Sequence, residues 1–330
     1  MTVQVTIFGL GQIGASFGLA LSEHKEILTC VGFDRHAEVV REAKKKQVVA
    51  RILTDPLAAV RDADLILFCI PANELRQTLE LIAPAIKEGT VLMDTAPLKT
   101  QMAAWTRELL PPGCYYVGLS PVLNPDYLAE DRFGLEAARA DLFQRGLLVI
   151  SNPPGTSSEA VRLASDLATL VGANTLYADL MEVDGLMAAV HILPQLAASS
   201  LLTATVEQPG WREARKLAGR PYVDATALVG HLTDSPASLG AATTFNRENV
   251  VRMLDVYMAA LRSLRDAIQA GDVDEVTFRL EQAVKGRETW WQQRQSGDWT
   301  AADDKPPEIP GLGERFKQMF FGERKKPGEK

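Results

Sequence analysis

The stretch VQVTIFGLGQIG, residues 3–14, limits the fold more than any other part of the chain. Val3–Phe8 is an apolar, β-branched run that ends at Gly9-Leu10-Gly11-Gln12-Ile13-Gly14, and Ala15–Leu21 then reads as the start of a helix. A GxGxxG that closes a strand and opens a helix is the fingerprint of a dinucleotide-binding βαβ unit. Gly9 permits the tight turn, Gly11 lets the backbone approach a pyrophosphate, and Gly14 lets the helix pack close to the strand. The helix N-terminus offers free N–H groups and a positive dipole end to phosphates. Leu10, Gln12 and Ile13 therefore join the three glycines as expected cofactor contacts.

A second strand, Leu28–Phe33, ends at Asp34, about 20 residues beyond Gly14. A carboxylate at that place accepts bonds from the adenosine ribose hydroxyls and repels a 2′-phosphate, so NAD is expected. Arg35 is a counter-signal, since a guanidinium there can pair with a 2′-phosphate, stack on adenine or stay in solvent. NADP remains the alternative cofactor. Asp64–Ile70 is nearly all apolar, as suits a strand buried on both faces of a parallel sheet. Its end places Ile70 and Pro71 at the carboxyl edge of the sheet, where ligands bind. Pro71 reads equally as a loop former beside the cofactor or as a strand stop.

The alternation continues. Glu38–Lys46 and Asn73–Ile86 have helical spacing, and Thr90–Met93, Tyr115–Gly118 and Leu147–Ile150 are short strand-like runs. Ser158–Val171 is an amphipathic helix, and Asn174–Tyr177 a last strand. Repeated β-α-β order predicts an α/β Rossmann-type, doubly wound parallel sheet over residues 1–178. From residue 179 to 295 strand signals almost vanish, and an all-α helical domain is expected. Met181–Val206 is its first long helix, with a kink at Pro194; Arg212–Ala218, Asp224–Leu232, Asn246–Ala270 and Val273–Gln293 follow. Residues 296–330 read as a charged Pro/Gly-rich tail carrying a short amphipathic helix, Glu314–Phe321.

Composition closes off several functions. There are 35 Lys+Arg against 42 Asp+Glu, a net charge of −7, without long basic runs, which argues against nucleic-acid binding. No cationic segment precedes the first apolar stretch, so no secretory signal is expected. No apolar run approaches the ~20 residues that span a bilayer, so a cytoplasmic protein without membrane contact is expected. Three cysteines, none in a CxxC, suit buried structural thiols, and no metal is expected.

Longer stretches carry a more specific signal. GLGQIGASFGLAL, VGFDRHAE, CIPANE, MDTAPLK, VGLSPVLNP, EVDGLMAAVHILPQLAASSLL, LAGRPYVDATALVGHLTDSP and FNRENVVRMLDVYMAAL follow one another over residues 3–293. In order and spacing they resemble the prephenate/arogenate dehydrogenase family. The resemblance implies oxidative decarboxylation of a cyclohexadienyl acid on the route to tyrosine, with hydride passing to NAD(P). It also implies a helical C-terminal domain that covers the active site and forms a homodimer, and a small-molecule substrate, prephenate or arogenate.

The expected catalytic positions depart from that family. Ser120-Pro121 stands where the family has His-Pro, whose histidine takes the proton of the ring hydroxyl. A serine can hydrogen-bond that hydroxyl but is a poor proton acceptor. In Asp94-Thr95-Ala96-Pro97-Leu98-Lys99 the family's serine is Pro97 while Lys99 remains, either as a cation at the substrate or as a helix-start charge. Val183-Asp184-Gly185 replaces His-Asp-Arg, His191-Ile192-Leu193-Pro194-Gln195 replaces SHLPH, and Ala225-Thr226-Ala227 replaces TTR, without its carboxylate-holding arginine. His191 and His231 are candidates for a proton relay, and both also fit ordinary structural histidines. Arg220 is a candidate carboxylate clamp and also fits a solvated charge. The alternatives are an oxidoreductase for a different small acid and a non-catalytic dinucleotide-binding protein.

Overall fold

The computed structural model describes residues 2–130, 132–230 and 235–297. Among these, eight strands form one sheet: β1 (Val3–Phe8), β2 (Leu28–Phe33), β3 (Arg51–Ile52), β4 (Leu65–Phe68), β5 (Val91–Asp94), β6 (Tyr115–Val122), β7 (Leu147–Ser151) and β8 (Asn174–Tyr177). Their order is β3-β2-β1-β4-β5-β6-β7-β8. Every neighbouring pair is parallel except β6 and β7, which run antiparallel. That reversal departs from the all-parallel expectation. The connection from β6 to β7 is built of short 3-10 turns rather than a crossover helix, so the chain returns beside β6 in the opposite sense.

The helices of the sheet region are α1 (Gln12–Leu21), α2 (Ala37–Lys46), α3 (Pro56–Val60), α4 (Leu75–Ile82), α5 (Lys99–Leu109) and α6 (Ser158–Leu170). They cover both faces, which explains the unbroken apolar run of β4. Leu65 and Leu67 point into one core with Phe17 and Leu167, while Ile66 and Phe68 point into the other with Leu79 and Met102. Side chains alternate faces along a strand, so a strand covered twice is apolar at every position.

No helix is expected over α5 from its sequence. Its local start signal is weak, because its N-cap is Leu98, which offers no side-chain acceptor. The acceptor is instead Asp184, whose carboxylate takes the N–H of Lys99 at 2.5 Å and of Thr100 at 3.0 Å. A cap supplied from 84 or 85 residues away leaves no mark on the neighbouring sequence.

The helical region begins with α7 (Leu180–Met187), passes through a π-turn at Ala188–Ile192 and continues as α8 (Leu193–Val206). Pro194 has no N–H to give. The wider turn just before it absorbs that loss, with the Leu193 N–H bonded to the Ala188 carbonyl. The combined run Leu180–Val206 is 27 residues long with mean hydropathy 1.5, long and apolar enough to cross a membrane by length and composition. This corrects the expectation that no run reaches that size. Its polar residues are few, and one of them, Asp184 of α7, is buried against the N-terminus of α5.

Next come α9 (Trp211–Leu217), α10 (Arg220–Gly230), α11 (Pro236–Phe245), α12 (Arg247–Ala270) and α13 (Val273–Ser296). The expected sequence helices contained no α11, although Ser235 caps it and Pro236 opens it. Contacts divide the chain into Met1–Val273 and Asp274–Lys330. Around the expected seam after residue 178, Asp184 caps α5 and the Ser238 hydroxyl accepts the Ala72 N–H at 3.0 Å. In the second unit Arg279 pairs with Glu275, and the Arg287 guanidinium lies 4.7 and 4.8 Å from the ring centres of Trp290 and Trp291. The expected tail beyond Gly297, with Glu314–Phe321, lies outside the described residues, as does His231. Of the thiols expected to be buried, Cys30 is, and burial pushes its pKa up to about 12, whereas Cys69 and Cys114, at strand ends, are only half-buried.

Candidate functional site

The glycine turn joins β1 to α1, and its shape follows from what surrounds each glycine. Gly9 has φ +87°, and a Cβ on it would lie 2.3 Å from the Cys69 carbonyl oxygen. A Cβ on Gly14 would lie 1.9 Å from the Gly9 carbonyl oxygen. Both positions exclude a side chain for reasons internal to the fold. Gly11 is different: a Cβ there would meet nothing within 4 Å. Its bareness leaves open space over the N-terminus of α1, whose N-cap, Gly11 itself, supplies no side-chain bond. That opening, lined by first-turn N–H groups of Gln12 and Ile13, fits a pyrophosphate.

Asp34 stands at the end of β2. One carboxylate oxygen accepts the Leu10 N–H at 2.8 Å, and the other accepts the His36 N–H at 2.9 Å. These bonds fix the carboxylate beside the glycine turn and leave acceptor capacity for ribose hydroxyls. Ile70 reaches the same turn, its Cγ2 lying 3.0 Å from the place of a Gly9 Cβ. Pro71 is exposed at the start of the following turn, and its carbonyl accepts the Glu74 N–H at 2.9 Å. Arg35 lies in the loop after Asp34 and pairs with Glu74. The residues thus fit an adenine dinucleotide.

Farther along the sheet, the carboxyl end of β5 and the first half of β6 carry a buried polar cluster. Lys99, the first residue of α5, is fully buried, and its Nζ donates to the Asp94 backbone carbonyl at 2.9 Å and to Asp94 Oδ1 at 3.0 Å. Tyr116 donates its hydroxyl to Asp94 Oδ2 at 2.6 Å, and the Ala96 N–H bonds Oδ1 at 2.8 Å. Burial pushes the Lys99 ammonium below its ordinary range while the Asp94 carboxylate pulls it back toward the charged form. Burial, reinforced by Asp94, raises the Tyr116 phenol well above its usual range. Lys99 is therefore the counter-ion of Asp94, a role that neither sequence alternative named.

Gly118 lies under this cluster. A Cβ on it would be 2.7 Å from Lys99 Cδ, 2.8 Å from Ser151 Oγ and 3.0 Å from the Tyr116 hydroxyl. Gly118 faces Ser151 across the β6–β7 ladder, and Ser120 faces Val149. By strand alternation Tyr116, Gly118, Ser120 and Ser151 share one face. Ser120 and Ser151 are both buried, and neither hydroxyl has a hydrogen-bond partner among the described residues. A buried hydroxyl without a partner costs about 1–3 kcal/mol, which marks a place where a ligand or water completes the bonding.

The remaining sequence candidates are spread out. His191 sits half-buried in the π-turn, a form of helix that often accompanies functional sites. Its carbonyl accepts the Gln195 side-chain N–H at 2.9 Å. Arg220 opens α10 with its side chain 91% exposed and pairs with Asp224 at 3.5 Å, so within one chain it lines no interior. Two residues outside the sequence candidates stand out. Gln195 is buried, its Oε1 without a partner among the described residues, and Asp184 of α7 is buried against the start of α5, its backbone carbonyl held by Asn246 at 2.7 Å. The substitution of SHLPH by HILPQ was the available signal for Gln195, and the retained acid of Val183-Asp184-Gly185 was the signal for Asp184.

Comparison with known proteins covers most of the chain. Residues 17–177 match the model for the nucleotide-binding domain of prephenate dehydrogenase, and residues 181–282 match the model for its dimerization domain. The chain is 24% identical over 294 residues to cyclohexadienyl dehydrogenase of Zymomonas mobilis, covering 87% of this chain and 96% of the relative. It is 22% identical over 327 residues to prephenate dehydrogenase of Bacillus subtilis, covering 97% and 85%. Its fold matches the crystal structure of A. aeolicus prephenate dehydrogenase with hydroxyphenyl propionate and NAD+ at TM-score 0.76 and 19% identity, covering 88% and 98%.

Proposed function

The chain belongs to the prephenate dehydrogenase family, and we propose that its described site oxidises a cyclohexadienyl acid, prephenate or arogenate, with NAD and loss of carbon dioxide. As a member of that family it is an NAD-dependent dehydrogenase. The observation that carries the reading is the cradle itself. Two glycines are locked by packing, a third is bare over open space, and Asp34 is fixed beside them. The nicotinamide, when bound, accepts the hydride.

The chain's own residues orient the substrate. The unpartnered Ser120 hydroxyl is available to bond a substrate ring hydroxyl. Asp94, Lys99 and Tyr116 hold the β5 end rigid next to the Ser120 face, so these three are positioning residues. A serine cannot keep the released proton near neutral pH, and this proposal assigns its relay to the half-buried His191. His231 and Arg220 retain the roles of relay and carboxylate clamp as part of this proposal. Arg220 would act once another surface covers it. Ser120→Ala is expected to lower kcat about 10–100-fold with little change in Tm, because the hydroxyl has no bonding partner among the described residues. Steady-state kinetics beside a thermal melt checks this, and an unchanged kcat removes Ser120 from the reaction.

The substrate is a small molecule, and the helical region supplies the homodimer contact. The match of residues 181–282 to a dimerization domain supports this, as do Leu217, Val223, Val251, Val256 and Leu261, all exposed on α9, α10 and α12. Sedimentation is expected to give twice the 36.0 kDa of one chain; a single-chain mass at micromolar concentration would refute it. The biosynthetic relatives support a cytoplasmic location.

The deciding experiment offers prephenate and arogenate separately to the purified protein, each with NAD and with NADP. Formation of reduced nicotinamide with either acid establishes the reaction. A protein that binds NADH yet turns over neither acid would instead act on another small acid.

A further inference from the structure

Arg35 is the basic group that a 2′-phosphate would meet first, because it follows Asp34 at the end of β2. Its guanidinium is already engaged. One terminal nitrogen lies 3.0 Å from Glu74 Oε1, and its Nε donates to His36 Nε2 at 3.2 Å. His36 Nδ1 lies 3.1 Å from Asp34 Oδ1, and the His36 backbone N–H adds a bond to the same oxygen at 2.9 Å. His36 bridges the Arg35 guanidinium, at Nε2, and the Asp34 carboxylate, at Nδ1. Glu74, Arg35, His36 and Asp34 thus form one chain of contacts.

The topology gives this chain its position. Strands β2 and β4 lie on either side of β1. Arg35 belongs to the loop after β2 and Glu74 to the turn after β4. Their ion pair therefore spans the end of β1, where the glycine turn lies. Glu74 is the more enclosed partner, its side chain 13% exposed against 59% for Arg35. Burial pushes its carboxyl up, and Arg35 draws it back toward the charged form.

We propose that Glu74 is a specificity-determining residue: it holds Arg35 away from a 2′-phosphate and adds a second carboxylate beside Asp34, so the site selects NAD(H) against NADP(H). The inference rests on the dinucleotide reading of the cradle. A 2′-phosphate entering here must break the Arg35–Glu74 pair and sit between two carboxylates, and such built-in repulsion is how a site rejects a near-identical ligand. Asp34 alone would leave Arg35 available as a phosphate partner.

The test titrates the full-length protein with NADH and with NADPH, read by nicotinamide fluorescence, for the wild type, Glu74→Gln and the double variant Glu74→Gln/Arg35→Gln. The wild type is expected to prefer NADH at least about 100-fold, and Glu74→Gln to narrow that ratio at least about tenfold through tighter NADPH binding. The double variant is expected to lose this gain, because the freed guanidinium is what binds the phosphate. A ratio unchanged in Glu74→Gln while NADH still binds overturns the proposal alone, and so does a gain that survives loss of Arg35. A wild type that binds neither dinucleotide overturns the cradle reading and the proposal with it.

Discussion

Gly14→Ala is expected to abolish NADH binding and to destabilise the protein by about 2–3 kcal/mol or more, whereas Gly11→Ala is expected to lose binding with the fold nearly intact. The two glycines belong to one motif, but the structure separates their roles. A Cβ at residue 14 would lie 1.9 Å from the Gly9 carbonyl oxygen, a backbone atom with no side-chain freedom to yield. Relief requires α1 to move off β1, and overpacking of this kind typically costs about 1–3 kcal/mol, more where backbone must shift. At residue 11 a Cβ meets nothing within 4 Å. Its cost to the fold is that of an alanine N-cap, roughly 0.5–1 kcal/mol. The methyl group would instead enter the space over the α1 N-terminus. A chemical denaturation curve and an NADH titration on each variant make the comparison. Gly11→Ala binding NADH like the wild type would mean that the pyrophosphate does not approach there, and the cradle would lose its central support.

The sheet was legible because its signals are local. The apolar run of β4, the glycine turn after β1 and the acid after β2 lie within a few residues of the features they specify. The β6–β7 reversal was not legible, because Leu147–Ile150 has the same β-branched character in either direction. α5 was hidden for another reason: its N-cap comes from Asp184, on a helix far along the chain. The candidate site divides in the same way. Gly9, Gly11, Gly14, Asp34 and Ile70 come together at one sheet edge, as their spacing implies. Ser120 falls on a polar face whose other members, Tyr116 and Ser151, had no motif to announce them. Lys99 could not be read at all from spacing alone, since its role depends on being fully enclosed beside Asp94. Arg220 illustrates the converse, a residue whose place in a motif suggested a pocket but whose side chain stands in solvent within one chain.

That enclosure gives Asp94→Asn the largest expected effect on stability, a loss of about 3–5 kcal/mol. An ammonium buried beside a carboxylate is tolerable because the pair shares its charge, and removal of one partner leaves the other uncompensated. Lys99 keeps a bond to the Asp94 backbone carbonyl at 2.9 Å in the variant, but a neutral carbonyl cannot replace a carboxylate. Lys99→Met in the same background is expected to restore most of the loss, since both charges are then gone and the long apolar side chain still fills the space over Gly118. The two single variants and the double variant form a cycle, read from urea midpoints, with a coupling of about 2–3 kcal/mol. Additive losses would mean that the two charges do not depend on each other, contrary to the 3.0 Å contact. Activity adds a second readout. If Lys99 only positions the β5 end, the double variant recovers reduced-nicotinamide formation along with its stability. A stable double variant without turnover would place the ammonium in contact with the substrate.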